Sequence, residues 1–337
     1  MNKKIQPAKK KKNNVFSLLL RLALSFGLLA WVFSKIDMNH TWEVIRSADV
    51  GLLSWAAVVF LGINFIILLR WFIVIRALDL KLSLGTVIKW FFIGLACNLF
   101  LPTSVGGDVI KTIGLSSGSK EKPKILASVV LDRLSGFAGV VIVASVMFVV
   151  GYRFIPDQSV GFSILVMMIV SLALTSVLFS HRIFSFFCRV FNRLPKIKDA
   201  VMSVHYNIVL MKEHAVAGVT SVALSVLAQI ILAYCCFVIA KALHQDVDFF
   251  YFMIFSPMIC VVTSLPSIGG LGVREMGWAY LLSKVGVAQG VAVSISLINF
   301  VFMVGVGLIG GVIYVVTLFN RRVQPDQARL DARPKKA

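Results

Sequence analysis

Acidic residues are scarce in this chain: 15 Asp and Glu stand against 34 Lys and Arg in 337 residues. Charged residues of both signs amount to only 15%, while 58% of the residues are hydrophobic. A soluble domain of this length needs more charge to cover its surface. No ten-residue alternation of the membrane-barrel kind runs through the chain. The five cysteines (Cys97, Cys188, Cys235, Cys236, Cys260) form no Cys-x-x-Cys pair, and four lie in apolar runs, so they read as small buried hydrophobes. The five histidines (His40, His181, His205, His214, His244) make no His-x-x-x-His or His–Cys cluster, so no metal site is expected. No nucleotide-binding loop and no paired-carboxylate motif is visible, and no cofactor is expected.

What is present is a series of apolar runs, at roughly 15–34, 51–75, 84–101, 124–151, 160–180, 215–240, 249–265, 276–284 and 287–319. A spanning helix takes about 20 residues, and only a helix satisfies its backbone within one segment. The net charge of +19 comes from Lys and Arg at the ends of these runs. That is the positive-inside bias of a membrane protein, so no nucleic-acid partner is expected. Residues 1–14 form a basic tail containing Lys3, Lys4, Lys9, Lys10, Lys11 and Lys12. The stretch after it resembles a signal peptide but ends at Trp31 to Lys35 without a small-x-small cleavage site. It reads as an uncleaved first span, with Arg21 snorkelling to the interface.

The connections set orientation. Residues 35–50, with Lys35, Asp37, Glu43, Arg46 and Asp49, go outside, and the next connection, with Arg70, Arg76 and Lys81, goes inside. The stretch holding Lys111, Lys120, Lys122 and Lys124 should also be inside, although run 84–101 lies between the two. The simplest solution is that 84–115 enters, breaks and returns. The break reads Leu101, Pro102, Thr103, Ser104, Val105, Gly106, Gly107, Asp108. Pro and paired Gly end a helix, and Ser, Thr or Asp caps the next. Span 124–151 leads out, 160–180 leads in, the basic connection 181–214 lies inside, and 215–240 leads out. The tail 321–337, with Arg321, Arg322, Lys335 and Lys336, is inside, which makes 249–284 a second broken element, on the outer side.

That second element contains Leu265, Pro266, Ser267, Ile268, Gly269, Gly270, Leu271, Gly272, Val273, Arg274 and Glu275. It repeats the order of Leu-Pro, a hydroxyl residue, paired Gly and then charge, and Leu265 follows Leu101 by 164 positions. The fold expected is therefore an all-α polytopic membrane protein, a single domain over 15–320. It has about six full transmembrane helices plus two re-entrant broken hairpins in an inverted repeat, with halves 51–151 and 215–319. Eight full spans is the alternative. Interrupted segments at matching positions in two halves point to a transporter site near the midplane.

Asp132 and Arg133 lie about two turns inside run 124–151. Charge at that depth costs several kcal/mol unless paired or hydrated. It reads either as a structural ion pair or as a head-group or proton site. Asp108 and Lys111 follow the first break, and Arg274 and Glu275 the second. A helix that starts at such a break turns its positive end into the membrane. With Arg133, Lys111 and Arg274 beside it, that end suits a phosphate. Lys89 and Arg70 read as interfacial snorkellers, and Asn64 and Gln229 as interhelical hydrogen-bond partners. Residues 181–198 space Arg182, Arg189 and Arg193 against Phe184, Phe187 and Phe191. This reads as an amphipathic helix on an anionic leaflet, or as an ordinary loop.

Three blocks carry a resemblance: Asn98 to Lys111, Ala127 to Gly136, and Pro266 to Glu275. In this order they resemble the lysylphosphatidylglycerol synthase transmembrane-region family, over about residues 15–320. The resemblance implies a flippase-type membrane domain. The synthase domain of the family's best-known members is expected to be absent, so lysyl transfer is not carried over. The expected function is a lipid translocase moving a phospholipid or other polar-headed lipid between leaflets, not an enzyme. The alternatives are a membrane enzyme acting on a lipid or lipid-linked sugar, with Asp108, Asp132 and Glu275 as acid, base or metal ligand, or an accessory subunit of a lipid-modifying enzyme. Expected partners are membrane lipids, above all anionic phospholipid, with a lipid-synthesising enzyme or a second copy of the chain as further candidates. The expected location is a bacterial inner membrane, with both termini cytoplasmic.

Overall fold

Asp49 opens the first long helix by accepting the Gly51 and Leu52 amides at 2.7 and 3.1 Å, the side-chain cap a helix start calls for. From there the computed structural model is helical. It describes residues 38–100, 106–117, 119, 121–151, 169, 214–263 and 270–331. A short helix α1 (Met38–Arg46) precedes α2 (Val50–Ala77), α3 (Leu84–Phe100), α4 (Gly106–Ser116) and α5 (Lys122–Gly151). Then come α6 (Ala215–Ala242), α7 (Phe249–Val262), α8 (Val273–Ser283) and α9 (Gln289–Asp331). There is no strand among the described residues.

Among the described residues, four helices are long and apolar enough to cross a membrane: Val50–Ala77, Lys122–Val150, Ala215–Ala242 and Gln289–Thr317. The expected spans at 15–34 and 160–180 lie outside the described residues, as does the amphipathic stretch 181–198. Helices α3 and α7 are shorter, at 17 and 14 residues, and α4 and α8 have 11 each. At about 1.5 Å per residue none of these four reaches the ~30 Å of a hydrocarbon core. Helix α9 continues beyond residue 319, through part of what reads in sequence as a basic tail.

The repeat is written in the helix order and in the caps. Leu78 and Leu243 cap α2 and α6 with nearly the same dihedrals, φ −90° in both. The next residues, Asp79 and His244, both take positive φ, 55° and 59°. Then Ser83 accepts the Thr86 amide at the start of α3, as Asp248 accepts that of Phe250 at the start of α7. This register is one position longer than the 164 read from the Leu-Pro pairs. Packings in the two halves answer one another: α3 on α9 answers α7 on α5, and α4 on α5 answers α8 on α9, whereas the close packing of α5 on α6 has only a slight counterpart between α9 and α2. Helices α2 and α6, which correspond, pack on each other. The Asp49 amide bonds the Ala242 carbonyl, Trp55 meets Tyr234, and Arg70 meets Ser225, so the two helices run antiparallel. Corresponding helices in opposite senses are what an inverted repeat requires.

Among the described residues the core has two large buried clusters and a small third one at Ala279 and Val293. One large cluster joins α2, α5, α6, α7, α8 and α9 around Phe252, Ile254 and Leu282, and the other joins α2 to α3, α4 and α5 around Trp71, Phe91 and Ile125. The α3–α4 contact depends on absent side chains. A Cβ on Gly107 would overlap the Gly94 carbonyl and the Asn98 side chain, and one on Gly94 would strike Lys111 Cε at 2.5 Å. Gly106 and Gly107, assigned by spacing to the break, are instead the first two residues of α4 and are buried. Pro102, Pro266 and Gly269 lie outside the described residues. Gly270 and Gly272 take φ of 80° and 84° just before α8, a conformation that side chains disfavour.

Candidate functional site

Five charged side chains from three helices converge beneath the α3–α4 corner. Arg70 donates from Nε to Asp132 Oδ1 at 2.8 Å and from Nη1 to Ser225 Oγ at 2.9 Å. Asp108, in the first turn of α4, accepts Lys111 Nζ at 3.3 Å on one oxygen and Arg133 Nε on the other. A carboxylate at that position also complements the helix dipole. Lys111 Nζ lies 5.0 Å from the ring centres of both Trp71 and Phe91, within cation–π range. The Gly94 backbone leaves room for its aliphatic stem. Asn98, near the end of α3, accepts the Gly107 amide at 2.7 Å and ties the two short helices together. These groups line a cavity of about 280 Å³ that also borders Asn98.

The sequence pair Asp132–Arg133 does not pair with itself. The two residues diverge, Asp132 to Arg70 and Arg133 to Asp108. Arg133 is the open member, with 41% of its side chain exposed, against 10% or less for Arg70, Asp132, Asp108 and Lys111. Three cations and two carboxylates leave one positive charge in surplus. Burial of ions is tolerated here because each carboxylate is held by a guanidinium or ammonium at hydrogen-bonding distance.

A second constellation stands at the start of α8. Glu275 reaches back to the Gly272 amide at 2.6 Å. This is half of a capping box, and the reciprocal half is missing because glycine has no side chain. Glu275 Oε1 also accepts Arg274 Nη2 at 2.8 Å and Ser296 Oγ at 3.0 Å, while Arg274 Nε donates to Ser296 Oγ at 2.8 Å. Arg274 lies 5.2 Å from the centre of the Phe300 ring. It borders a second cavity, also of about 280 Å³, with Cys236, Trp278 and Asn299. Asn98 and Arg133 border both cavities.

All six charged residues singled out from the sequence are thus placed: Asp108, Lys111, Asp132 and Arg133 in one cluster, Arg274 and Glu275 in the other. Arg70 corrects the sequence expectation. It is not an interfacial snorkeller but is buried, 8% exposed, and ion-paired in the first cluster. Its signal was available: Arg70 and Asp132 are opposite charges set at similar depth from the ends of neighbouring runs. Lys89 is half-buried, with Nζ 5.9 Å from the Trp90 ring. Asn64 bonds the Phe60 carbonyl of its own helix at 2.8 Å rather than a neighbour, whereas Gln229 does reach across, to Cys260 on α7. Ser225, Ser296 and Asn98 carried no sequence signal as site residues. Cys235 and Cys236 are free and buried, and no group of three metal-ligating side chains occurs among the described residues.

The model of the family described as the lysylphosphatidylglycerol synthase TM region matches residues 18–311. The chain belongs to this family. It is therefore a multi-pass membrane protein of a lipid-handling family, and both constellations fall inside the matched region. No curated protein and no solved structure matches the chain.

Proposed function

We propose that this member of the lysylphosphatidylglycerol synthase TM region family translocates an anionic phospholipid between leaflets, and that the lipid's phosphate passes the Arg70–Asp132–Asp108–Lys111–Arg133 cluster. The carrying observation is that cluster: three cations against two carboxylates, beside a cavity, at the N-terminus of a short helix. Helix N-termini and guanidinium forks both favour phosphate. The short pairs α3–α4 and α7–α8 act as re-entrant elements that enter from opposite sides. They bring their charged starts toward the midplane, in the manner of broken-helix transporters. In this reading the turn with Arg76 and Lys81 faces the cytoplasm of a bacterial inner membrane, together with both chain termini, and the protein catalyses no covalent change.

The test is reconstitution of the full chain in liposomes carrying a labelled phosphatidylglycerol, with loss of label from one leaflet as the readout. Protein-dependent movement is expected, and it should drop at least tenfold in Asp132→Asn/Arg133→Ala. Equal movement by the double variant would remove the cluster from the path. A lipid product of changed mass would make the protein an enzyme instead.

A further inference from the structure

We infer that α7 is hinged at Pro257 and that its last turn is a moving wall that opens and closes the second cavity. The inference does not depend on the translocation reading, because it concerns how the cavity opens and not what enters it.

Pro257 stands in the middle of α7. Proline has no amide hydrogen, so the Met253 carbonyl one turn earlier receives no helical bond, and the ring crowds that carbonyl. Sharp bends in helices occur at such points. The two parts of α7 are also held unequally. Before the proline, Phe249 and Phe252 pack edge-on against Phe237 of α6, with ring centres 5.6 and 6.1 Å apart, and Phe252 lies 5.9 Å from the Trp278 ring of α8. After it, α7 has no aromatic residue. Every residue from Phe252 to Ile259 is buried, whereas Cys260 and Val261 are half-buried and Val262 is 36% exposed. The contacts of the last turn include a long one, from the Cys260 thiol to Gln229 Oε1 at 3.8 Å.

That turn borders the second cavity through Ile259 and Cys260, together with its cap Thr263. Another wall is fixed: Arg274 and Glu275 both bond Ser296, at 2.8 and 3.0 Å, which ties α8 to α9.

The first half is built the other way. In the register of the caps Pro257 answers Phe92 of α3, and α3 contains no proline. A Cβ on Gly310 of α9 would stand 1.9 Å from the Phe92 carbonyl oxygen, and one on Gly107 of α4 would stand 2.1 Å from the Gly94 carbonyl oxygen. Backbone pressed on backbone from two helices leaves α3 no room to bend. Among the described glycines, those that meet the end of α7, Gly270 and Gly277, touch only side-chain atoms of Thr263 and Ile259. Side chains can swing aside where backbone cannot.

Native thiols supply the test. Cys236 borders the cavity and is 3% exposed, while Cys235 beside it donates to the Ala56 carbonyl of α2 at 3.4 Å. The full chain in detergent is treated with N-ethylmaleimide, and labelling of each cysteine is followed by peptide mass spectrometry. Cys236 is expected to react as the cavity opens, and at least fivefold more slowly in Pro257→Ala, which restores the missing amide. Cys235 should stay unreacted in both proteins, which also shows that the variant is folded. Hydrogen–deuterium exchange gives a second readout. In wild type the amides of 259–262 should exchange at least tenfold faster than those of 251–255, and Pro257→Ala should narrow that gap to threefold or less. Equal labelling of Cys236 in the two proteins, or an exchange gap that the variant leaves unchanged, overturns the hinge. Liposome transport keeps this apart from the proposed function. If wild type moves no lipid while both readouts hold, translocation falls and the hinge stands. If lipid moves and the variant changes neither readout, the hinge falls and translocation stands.

Discussion

The two cavities occupy corresponding places in the two halves, yet one is lined by five charged side chains and the other by two, Arg133 and Arg274. In the register set by the caps and helix starts, Arg70 answers Cys235, Lys111 answers Trp278, Asp132 answers Asn299 and Arg133 answers Phe300. Asp108 alone keeps its charge, as Glu275, at the same third position of its short helix. Where Arg70 grips Asp132 at 2.8 Å, the Cys235 thiol instead donates to the Ala56 carbonyl at 3.4 Å, and the Asn299 amide lies 3.6 Å from the sulfur of the next residue, Cys236. The lesson is that buried charges differ between halves in partnered sets. An ion pair can be absent as a unit at little cost, but one member without the other leaves an uncompensated charge in low dielectric.

The largest expected effect follows directly. Arg70→Ala strands Asp132, and thermal unfolding in detergent should show a loss of about 3–5 kcal/mol. Arg70→Cys/Asp132→Asn, which places the second half's residues at both positions, should restore most of that stability and, on the proposed translocation, still abolish lipid transfer. A double variant as unstable as the single one would break the comparison. A smaller effect is expected at Gly94, whose counterpart in the second half is Ile259. Gly94→Ala places a methyl against three carbons of the Lys111 side chain, at 2.5 to 3.1 Å. It should cost about 1–3 kcal/mol by overpacking and displace Lys111 from Asp108. Ile259→Ala should cost a similar amount by leaving a void, without touching the charged cluster.

The smallest effect separates the two turns after α2 and α6. The first turn holds Arg76, Asp79 and Lys81 with no ion pair among them, whereas the second pairs Lys241 Nζ with Asp246 at 2.6 Å. The Lys241 ammonium, by hydrogen bond and by charge, holds the Asp246 carboxyl below its ordinary value. A lowered native pKa means the pair helps folding above the ordinary carboxylate range and ceases to help as the pH falls through the lowered value. Asp246 is fully exposed, so Asp246→Asn should change a thermal melt at neutral pH very little, and the difference from wild type should vanish in acid.

Much of this arrangement is legible in one dimension. Charge at the ends of apolar runs marks the membrane, and the duplicated Leu-Pro and Gly-Gly blocks mark the repeat. Asp132 stands out because an acid in an apolar run needs a reason. The partners of these charges do not stand out. Asp132 and Arg133 are adjacent and opposite in sign, which invites pairing them, but neighbours on a helix point about 100° apart. Arg70 sits close enough to a run's end to pass for a snorkeller. Gly106 and Gly107 look like breakers, and only the close approach of α3 shows them as packing surface.

Composition by itself determined the solvent, the element type and the presence of two halves. These depend on hydrophobicity and periodicity, which are local properties of the chain. Tertiary structure decided which charge neutralises which, that Asn98 and Arg133 border both cavities, and that the buried ion pairs between helices lie in the first half. Those are distances between residues far apart in sequence, set by how antiparallel α2 and α6 pack and by how closely glycine lets α4 approach α3.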